Sequence, residues 1–264
     1  MAGTPARLAA DGRPDFDVVI LAGGRGTRLG GADKPGLVVG SSTMAAAVLG
    51  AAVAAGARQV VLVGPPRADL ARISAPLPGG LTVVREDPPG TGPVPALRVG
   101  LAPVRAPWVA VLAADLPFLR GEQLRALLDV ASGGQPAGAV MADAGGAAQW
   151  LAGCWRTAGL RSALLEYRGS SLRGLFGPLH PVLISQATPS SEPPPWLDCD
   201  TPAELAAARL AAARESHQRR GPAGGPEKTA PRRAGAGGPG RDSHGLRDFS
   251  PLRDSPAIRQ EADQ

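Results

Sequence analysis

From Asp17 onward the chain alternates between two kinds of apolar segment. Short, unbroken runs rich in valine and leucine occupy 17–21, 59–63, 81–85, 108–113, 137–141 and 150–155. Longer, alanine-rich stretches occupy 43–55, 93–101, 122–132, 158–166 and 202–214. Strands buried on both faces read as continuous apolar runs rather than alternating ones. When helix-length segments separate such runs, they imply βαβ units. The pattern therefore predicts an α/β fold, with a mostly parallel sheet between two layers of helices. The last helix has a legible start: Asp200 or Thr201 as cap, Pro202 in the first turn, and Glu204 completing a capping box with Thr201. The sequence has no internal repeat.

The same pattern divides the 264 residues. Residues 1–15 read as a disordered leader and 16–215 as one domain. Residues 216–264 read as a disordered tail of Gly, Pro, Arg, Asp and Ser, with too little apolar surface to offset its ordering entropy. Apolar residues make up 44% of the chain but aromatic ones only 3%, so the core must be built from Ala, Val and Leu. A net charge of +5 raises nucleic acid as a partner. Dispersed arginines, the lack of a basic helix and too few aromatics for base stacking speak against it. Cys154 and Cys199 have neither metal-ligand spacing nor the density of a disulfide framework, which points to a reducing cytoplasm. Residues 1–16 contain no hydrophobic signal core, and the longest apolar run, 45–57, is interrupted by Gly50 and Gly56. Neither secretion nor a membrane span is expected.

The candidate chemistry centres on a lysine. Lys34 and Lys228 are the chain's two lysines, every other cation being arginine. Lys34 closes a glycine-rich run, 21–34 (LAGGRGTRLGGADK), that directly follows the first predicted strand. A strand, a glycine-rich loop and a compact ammonium together suit a phosphate, which arginine's planar fork surrounds less well. Two phosphate loops are excluded by spacing. A Walker A loop needs Gly-Lys followed by Ser or Thr, whereas Lys34 lies between Asp33 and Pro35. A dinucleotide fingerprint needs an acid closing the second strand, which here ends Val63-Gly64-Pro65.

The run 21–34 resembles the opening signature of nucleotidyltransferases with a GT-A-like fold, and most of all that of the molybdenum cofactor guanylyltransferases, the MobA family. The short gap from Arg28 to Asp33-Lys34 favours that family over sugar-phosphate nucleotidyltransferases. The resemblance continues in order over residues 17–213. Glu86-Asp87 followed by Gly92-Pro93 resembles the segment after the family's third strand, and Asp115 in Ala114–Pro117 resembles its metal-binding Asp. Gln149–Leu151 resembles its acceptor-side strand, and 198–205 (DCDTPAEL) its closing motif. Two places depart from the family: 40–43 (GSST) replaces its usual basic turn, and Asp198 and Asp200 stand where Asn is common, in a chain that contains no asparagine.

The resemblance implies a three-layer, Rossmann-like GT-A-type fold and Mg²⁺-dependent transfer of GMP from GTP to the phosphate of molybdopterin or molybdenum cofactor. Backbone N–H groups from Gly23 through Gly24 to Gly26 would face the phosphates. Arg28 and Lys34 would stabilise the charge that develops there. Asp115 would hold Mg²⁺, with Asp200 as a second ligand or simply the helix cap. Leu21, Ala22 and Gly23 would recognise the base through backbone groups. Asp87 would contact the nucleotide or serve only as a turn residue. As an exposed loop charge, Lys34 would matter to turnover far more than to stability. Trp150, Trp155 and Trp196 suit either an acceptor pocket or the core; Arg168 and Arg173 suit the acceptor phosphate or the surface. His180 reads as a strand-edge residue. The alternatives left open are CTP as donor, a sugar or other small phosphate as acceptor, and a non-catalytic carrier handing cofactor to molybdoenzymes or their chaperones.

Overall fold

Phe16–Leu21 forms the first strand, β1, and every one of its residues is buried. The computed structural model describes residues 14–23, 33–134, 136–185 and 192–220. After β1 come a two-residue hairpin, β2 (Val38–Val39) and β3 (Ser42–Thr43), then α1 (Met44–Ala54), β4 (Val60–Val63), α2 (Ala71–Ser74), β5 (Leu81–Val84) and α3 (Pro93–Leu101). The second half contains β6 (Trp108–Ala113), α4 (Gly121–Ser132), β7 (Gly138–Ala142), β8 (Ala148–Arg156), α5 (Thr157–Glu166), α6 (Leu172–Phe176), β9 (Val182–Ser185) and α7 (Pro202–Arg220).

The main sheet has 7 strands in the order β5-β4-β1-β6-β8-β7-β9. β1 runs parallel to both β4 and β6, β4 to β5, and β7 to β9. Only β8 runs against its neighbours, β6 and β7. The mostly parallel sheet is thus as the apolar pattern predicts. Side chains alternate across it. Val18 and Ile20 join the layer of α1 and α4, with Leu49, Leu62, Leu112 and Leu124. Val19 and Leu21 join the opposite layer, with Leu97 of α3, Leu160 of α5 and Phe176 of α6. A third cluster, Val39, Met44, Phe118, Cys199, Leu205 and Ala208, seats α7 against the β2–β3 hairpin.

The edges of several elements differ from the pattern. The β2–β3 hairpin is too short to show any period, and α2 and α6 are single turns. β9 lies at the sheet edge with Val182 and Leu183 partly exposed, so it lacks the density of a buried strand. α7 continues to Arg220, beyond the expected boundary at 215, because its Ala, Arg and Glu residues favour helix until Gly221-Pro222. Among the described residues no helix is long and apolar enough to cross a membrane.

α3 lies close on the sheet because Gly100 faces it. A Cβ there would come within 2.7 Å of both Val19 Cγ1 and Val63 Cγ2. Both are stiff β-branched side chains at the strand centre. Gly100→Ala is expected to lower unfolding free energy by about 1–3 kcal/mol, read from urea denaturation; an unchanged midpoint would show that helix–sheet spacing is not set at this position.

Candidate functional site

The central strands end together. Leu21 pairs with Val63 of β4 on one side and with Ala113 of β6 on the other. The register carries on past the strands, with Ala22 N donating to Val63 O at 2.8 Å and Ala114 N to Leu21 O at 3.1 Å. Chain segments leaving these carboxyl ends must diverge, and ligands of open parallel sheets bind in the crevice so formed. Asp115 follows β6 by two residues, Lys34 opens a 3-10 turn over Lys34–Gly36, and Asp200 precedes α7.

These three residues meet. Lys34 Nζ donates to Asp115 Oδ2 and to Asp200 Oδ1, joining positions 81 and 166 residues away in sequence. The Lys34 side chain is only 14% exposed. Burial alone would lower the pKa of its ammonium, but the hydrogen bonds and charges of Asp115 and then Asp200 outweigh burial and hold it above its ordinary value. The expectation of an exposed loop charge is therefore corrected: Lys34 is an enclosed cation between two carboxylates. The cap of α7 is made by Thr201, whose Oγ1 accepts from Glu204 N at 3.2 Å while Thr201 N donates to Glu204 Oε2 at 2.8 Å. Capping therefore does not need Asp200, whose carboxylate turns to Lys34. Asp198 also belongs to this acidic group: burial, then the charges of Asp200 and Asp115, push its carboxyl up.

The turn that carries Lys34 is itself anchored. Arg67 donates from Nη1 and Nη2 to the two Asp33 oxygens at 2.9 and 2.7 Å. The hydrogen bond from Arg67 holds the Asp33 carboxyl below its ordinary range. Arg67 is 8% exposed, and its Nε lies 3.7 Å from Asp69 Oδ1, an ion pair without a hydrogen bond. Asp69 in turn accepts from Thr43 Oγ1 at 2.7 Å. Sequence reading missed Arg67, whose one signal is its place just after β4, at the carboxyl edge of the sheet.

Two cavities adjoin the Lys34 cluster. One, of about 280 Å³, is lined by Lys34 and Asp115 together with Leu21, Gly23, Glu86 and Pro93. The other, of about 290 Å³, is lined by Asp115 and Asp198 with Gln149, Trp150, Leu172 and Trp196. Asp115, Ala113 and Leu151 line both.

Of the predicted base-contacting residues, Leu21 and Gly23 line the first cavity, while Ala22 lines a neighbouring one with Gly23 and Glu86. Asp87 is exposed and on neither wall; Glu86 takes the inward position. Period-two alternation continued from Val84 would have shown this. Gly24, Gly26 and Arg28 lie outside the described residues. Trp155 is core, stacked on Phe176 at 4.2 Å, whereas Trp150 and Trp196 face the second cavity. Cys154 is fully buried, its thiol pushed up to about 12 by burial, so it is inert at neutral pH. Arg168 donates to Leu165 O at 2.9 Å, away from both cavities.

Two carboxylates are the part of a hard divalent cation's donor set that the described residues supply, and no cluster of three or more metal-ligating side chains occurs among them. Asp115 and Asp200 converge on one point, where Lys34 already supplies positive charge, and Mg²⁺ prefers one or two carboxylates completed by phosphate oxygens. The Arg67 fork should matter to this arrangement although it touches no part of it. Arg67→Lys keeps the charge but cannot bind Asp33 bidentately. Nucleoside triphosphate affinity, measured by titration calorimetry, is expected to fall about tenfold, the equivalent of one charge-assisted hydrogen bond, with Tm nearly unchanged.

Residues 18–182 match the MobA-like NTP transferase domain. A probable molybdenum cofactor guanylyltransferase of Natronomonas pharaonis is 34% identical over 112 residues, 42% of this chain and 54% of the relative. A molybdenum cofactor guanylyltransferase of Pseudomonas putida is 35% identical over 131 residues, 49% of this chain and 65% of the relative. The matched stretch thus spans between about half and two thirds of these relatives' lengths. Among solved structures, a nucleotidyl transferase from Methanothermobacter superposes with a TM-score of 0.61 at 19% identity, covering 76% of this chain and 99% of that one. A molybdopterin-guanine dinucleotide biosynthesis protein A from Archaeoglobus fulgidus gives 0.57 at 16% identity, covering 75% and 99%. These two share the fold. With more than half of its length matched by one domain family, the chain belongs to the MobA-like NTP transferases.

Proposed function

We propose that the protein is a cytoplasmic nucleotidyltransferase that moves GMP from GTP to the terminal phosphate of molybdopterin or molybdenum cofactor, with Mg²⁺ and with pyrophosphate as leaving group. One observation carries this reading. Two cavities share the wall that holds Asp115, beside the Lys34 ammonium. A donor on one side and an acceptor on the other bring their phosphates together at that wall. The names of two relatives, molybdenum cofactor guanylyltransferases, support this choice of donor and acceptor. The buried free thiols of Cys154 and Cys199 suit a reducing compartment.

In the reaction an oxygen of the acceptor phosphate forms a bond to the α-phosphorus as the bond from that phosphorus to the β-phosphate oxygen breaks. Such a transfer needs alignment and charge neutralisation more than proton chemistry. The acceptor phosphate is already ionised and requires no general base. Lys34, its side chain only 14% exposed, would stabilise the negative charge that develops on the phosphoryl oxygens. Mg²⁺ held by Asp115 and Asp200 would neutralise the same oxygens. Trp150 and Trp196 offer flat apolar surface to a pterin, and Gln149 a polar group at its edge.

The purified full chain, incubated with Mg²⁺, intact molybdopterin and GTP, CTP, ATP or UTP singly, should yield a pterin dinucleotide with GTP alone, detected by mass spectrometry. A CTP product would keep the mechanism and change the donor. No product with any nucleotide would move the reading to another phosphate acceptor or to a carrier. Lys34→Ala should lower kcat by about 10²–10³-fold, the usual loss when one preorganised charge stabiliser is removed. It should also lower Tm, because Asp115 and Asp200 then face each other without a cation; an unchanged Tm would contradict the enclosed ion cluster.

A further inference from the structure

Between Asp115 and Asp200 the ammonium of Lys34 does what a bound cation would do. Its Nζ donates to Asp115 Oδ2 and to Asp200 Oδ1, so one nitrogen joins the two carboxylates. The side chains of Lys34 and Asp115 are 14% and 19% exposed, and water screens their contact poorly. Two carboxylates against one ammonium leave negative charge in excess, and Asp198, close enough to interact with both, adds a third acid. That excess attracts a divalent cation. Yet any such ion approaching these oxygens meets the ammonium already there, and like charges at that range repel strongly in a half-buried site.

The base of the lysine is fixed and its tip has reach. Pro35 is buried, Gly36 N donates to Asp33 O at 2.9 Å, and the Arg67 fork holds the Asp33 carboxylate. From this anchored turn a flexible four-carbon stem carries a compact charge with three rotatable donors. Lys34 also lines the first cavity, so it borders that space as well as the two acids. An oxyanion entering the cavity therefore competes with Asp115 and Asp200 for the ammonium.

We propose that Lys34 is a built-in counterion that keeps a divalent cation off Asp115 and Asp200 until a polyphosphate draws its ammonium away. Metal and donor then bind as a coupled pair rather than independently. The inference rests on the proposed function only in taking that polyphosphate to be the donor's. In the free protein the acids are satisfied internally, so a metal ion alone gains little by binding. A triphosphate that takes the ammonium strips the acids of their cation, which a divalent ion then replaces. The coupling is reciprocal, as linkage requires.

The test titrates Mn²⁺ into the full chain without nucleotide, following free Mn²⁺ by electron paramagnetic resonance, for wild type and Lys34→Ala. Loss of the ammonium should tighten Mn²⁺ binding by at least about tenfold, the effect of deleting one repelling unit charge at close range. Mg²⁺ should raise the Tm of Lys34→Ala relative to Na⁺ at equal ionic strength, and leave that of wild type nearly unchanged. Adding Asp115→Asn to Lys34→Ala should abolish both gains, which locates the ion. For the release step, ε-¹⁵N-lysine labelling gives signals from Lys34 and Lys228. Inorganic triphosphate with EDTA should move the Lys34 signal, assigned with Lys228→Arg. Tight Mn²⁺ binding by wild type without nucleotide overturns the inference. So does Lys34→Ala binding Mn²⁺ no better than wild type, for then the ammonium merely pairs with two acids. An unmoved Lys34 signal overturns the coupling to polyphosphate. If these results hold but wild type binds no GTP, the proposed function fails alone. Folding of Lys34→Ala only in the presence of Mg²⁺ supports the inference. Should that variant not fold at all, Lys34→Gln, which offers the acids a neutral donor, must show the same gain in Mn²⁺ affinity.

Discussion

An ammonium ion enclosed by protein needs negative partners close by, and much of this molecule's arrangement follows from meeting that need for Lys34. Its two carboxylates come from the end of β6 and the start of α7, so three distant parts of the chain are tied at one point. Neither carboxylate would be comfortable there alone. Asp115 follows a fully buried strand interior, and Asp198, two residues before Asp200, already sits where burial and neighbouring charge favour its neutral form. The cluster is therefore balanced rather than simply attractive.

Around that point the fold divides the work between rigid and adaptable parts. The strands that bring Leu21, Ala113 and Val63 into line are buried on both faces and packed by helices on either side. What differs from strand to strand is the segment that follows each: the Lys34 turn after β1, the Arg67 segment after β4, the Glu86 turn after β5 and Asp115 after β6. The cavities at this edge are thus lined by side chains from several separate segments held on a common scaffold.

How much of this was legible in the sequence depended on the physical signal each part carries. β6 and α3 have the limits their apolar runs predict, because a strand buried on both faces and a proline-initiated helix leave dense local marks. Lys34, Asp115 and Asp200 were legible as candidates, since a lysine rare in this chain and acids beside element ends stand out. Their mutual contact was not, because no local pattern encodes positions so far apart meeting; hence the mistaken expectation of an exposed Lys34. Asp87 and Glu86 show a finer limit. Both are acids in one turn, and only strand parity separates the outward one from the inward one. Arg67 was hidden among arginines that the chain uses everywhere. Asp200 carried two readings, cap or ligand; the Thr201–Glu204 box caps α7, and the Asp200 carboxylate turns to Lys34.

The late position of Asp200 has a consequence for how the protein comes into being. A chain emerging from the ribosome presents Lys34 early and Asp115 next, and the central strands β1, β4 and β6 can pair before the second carboxylate has been synthesised. Until α7 docks on the β2–β3 hairpin, Lys34 has one of its two acids. Sheet formation and completion of the ion cluster are therefore separate events in time. The central sheet can thus form in the nascent domain before the second carboxylate reaches Lys34.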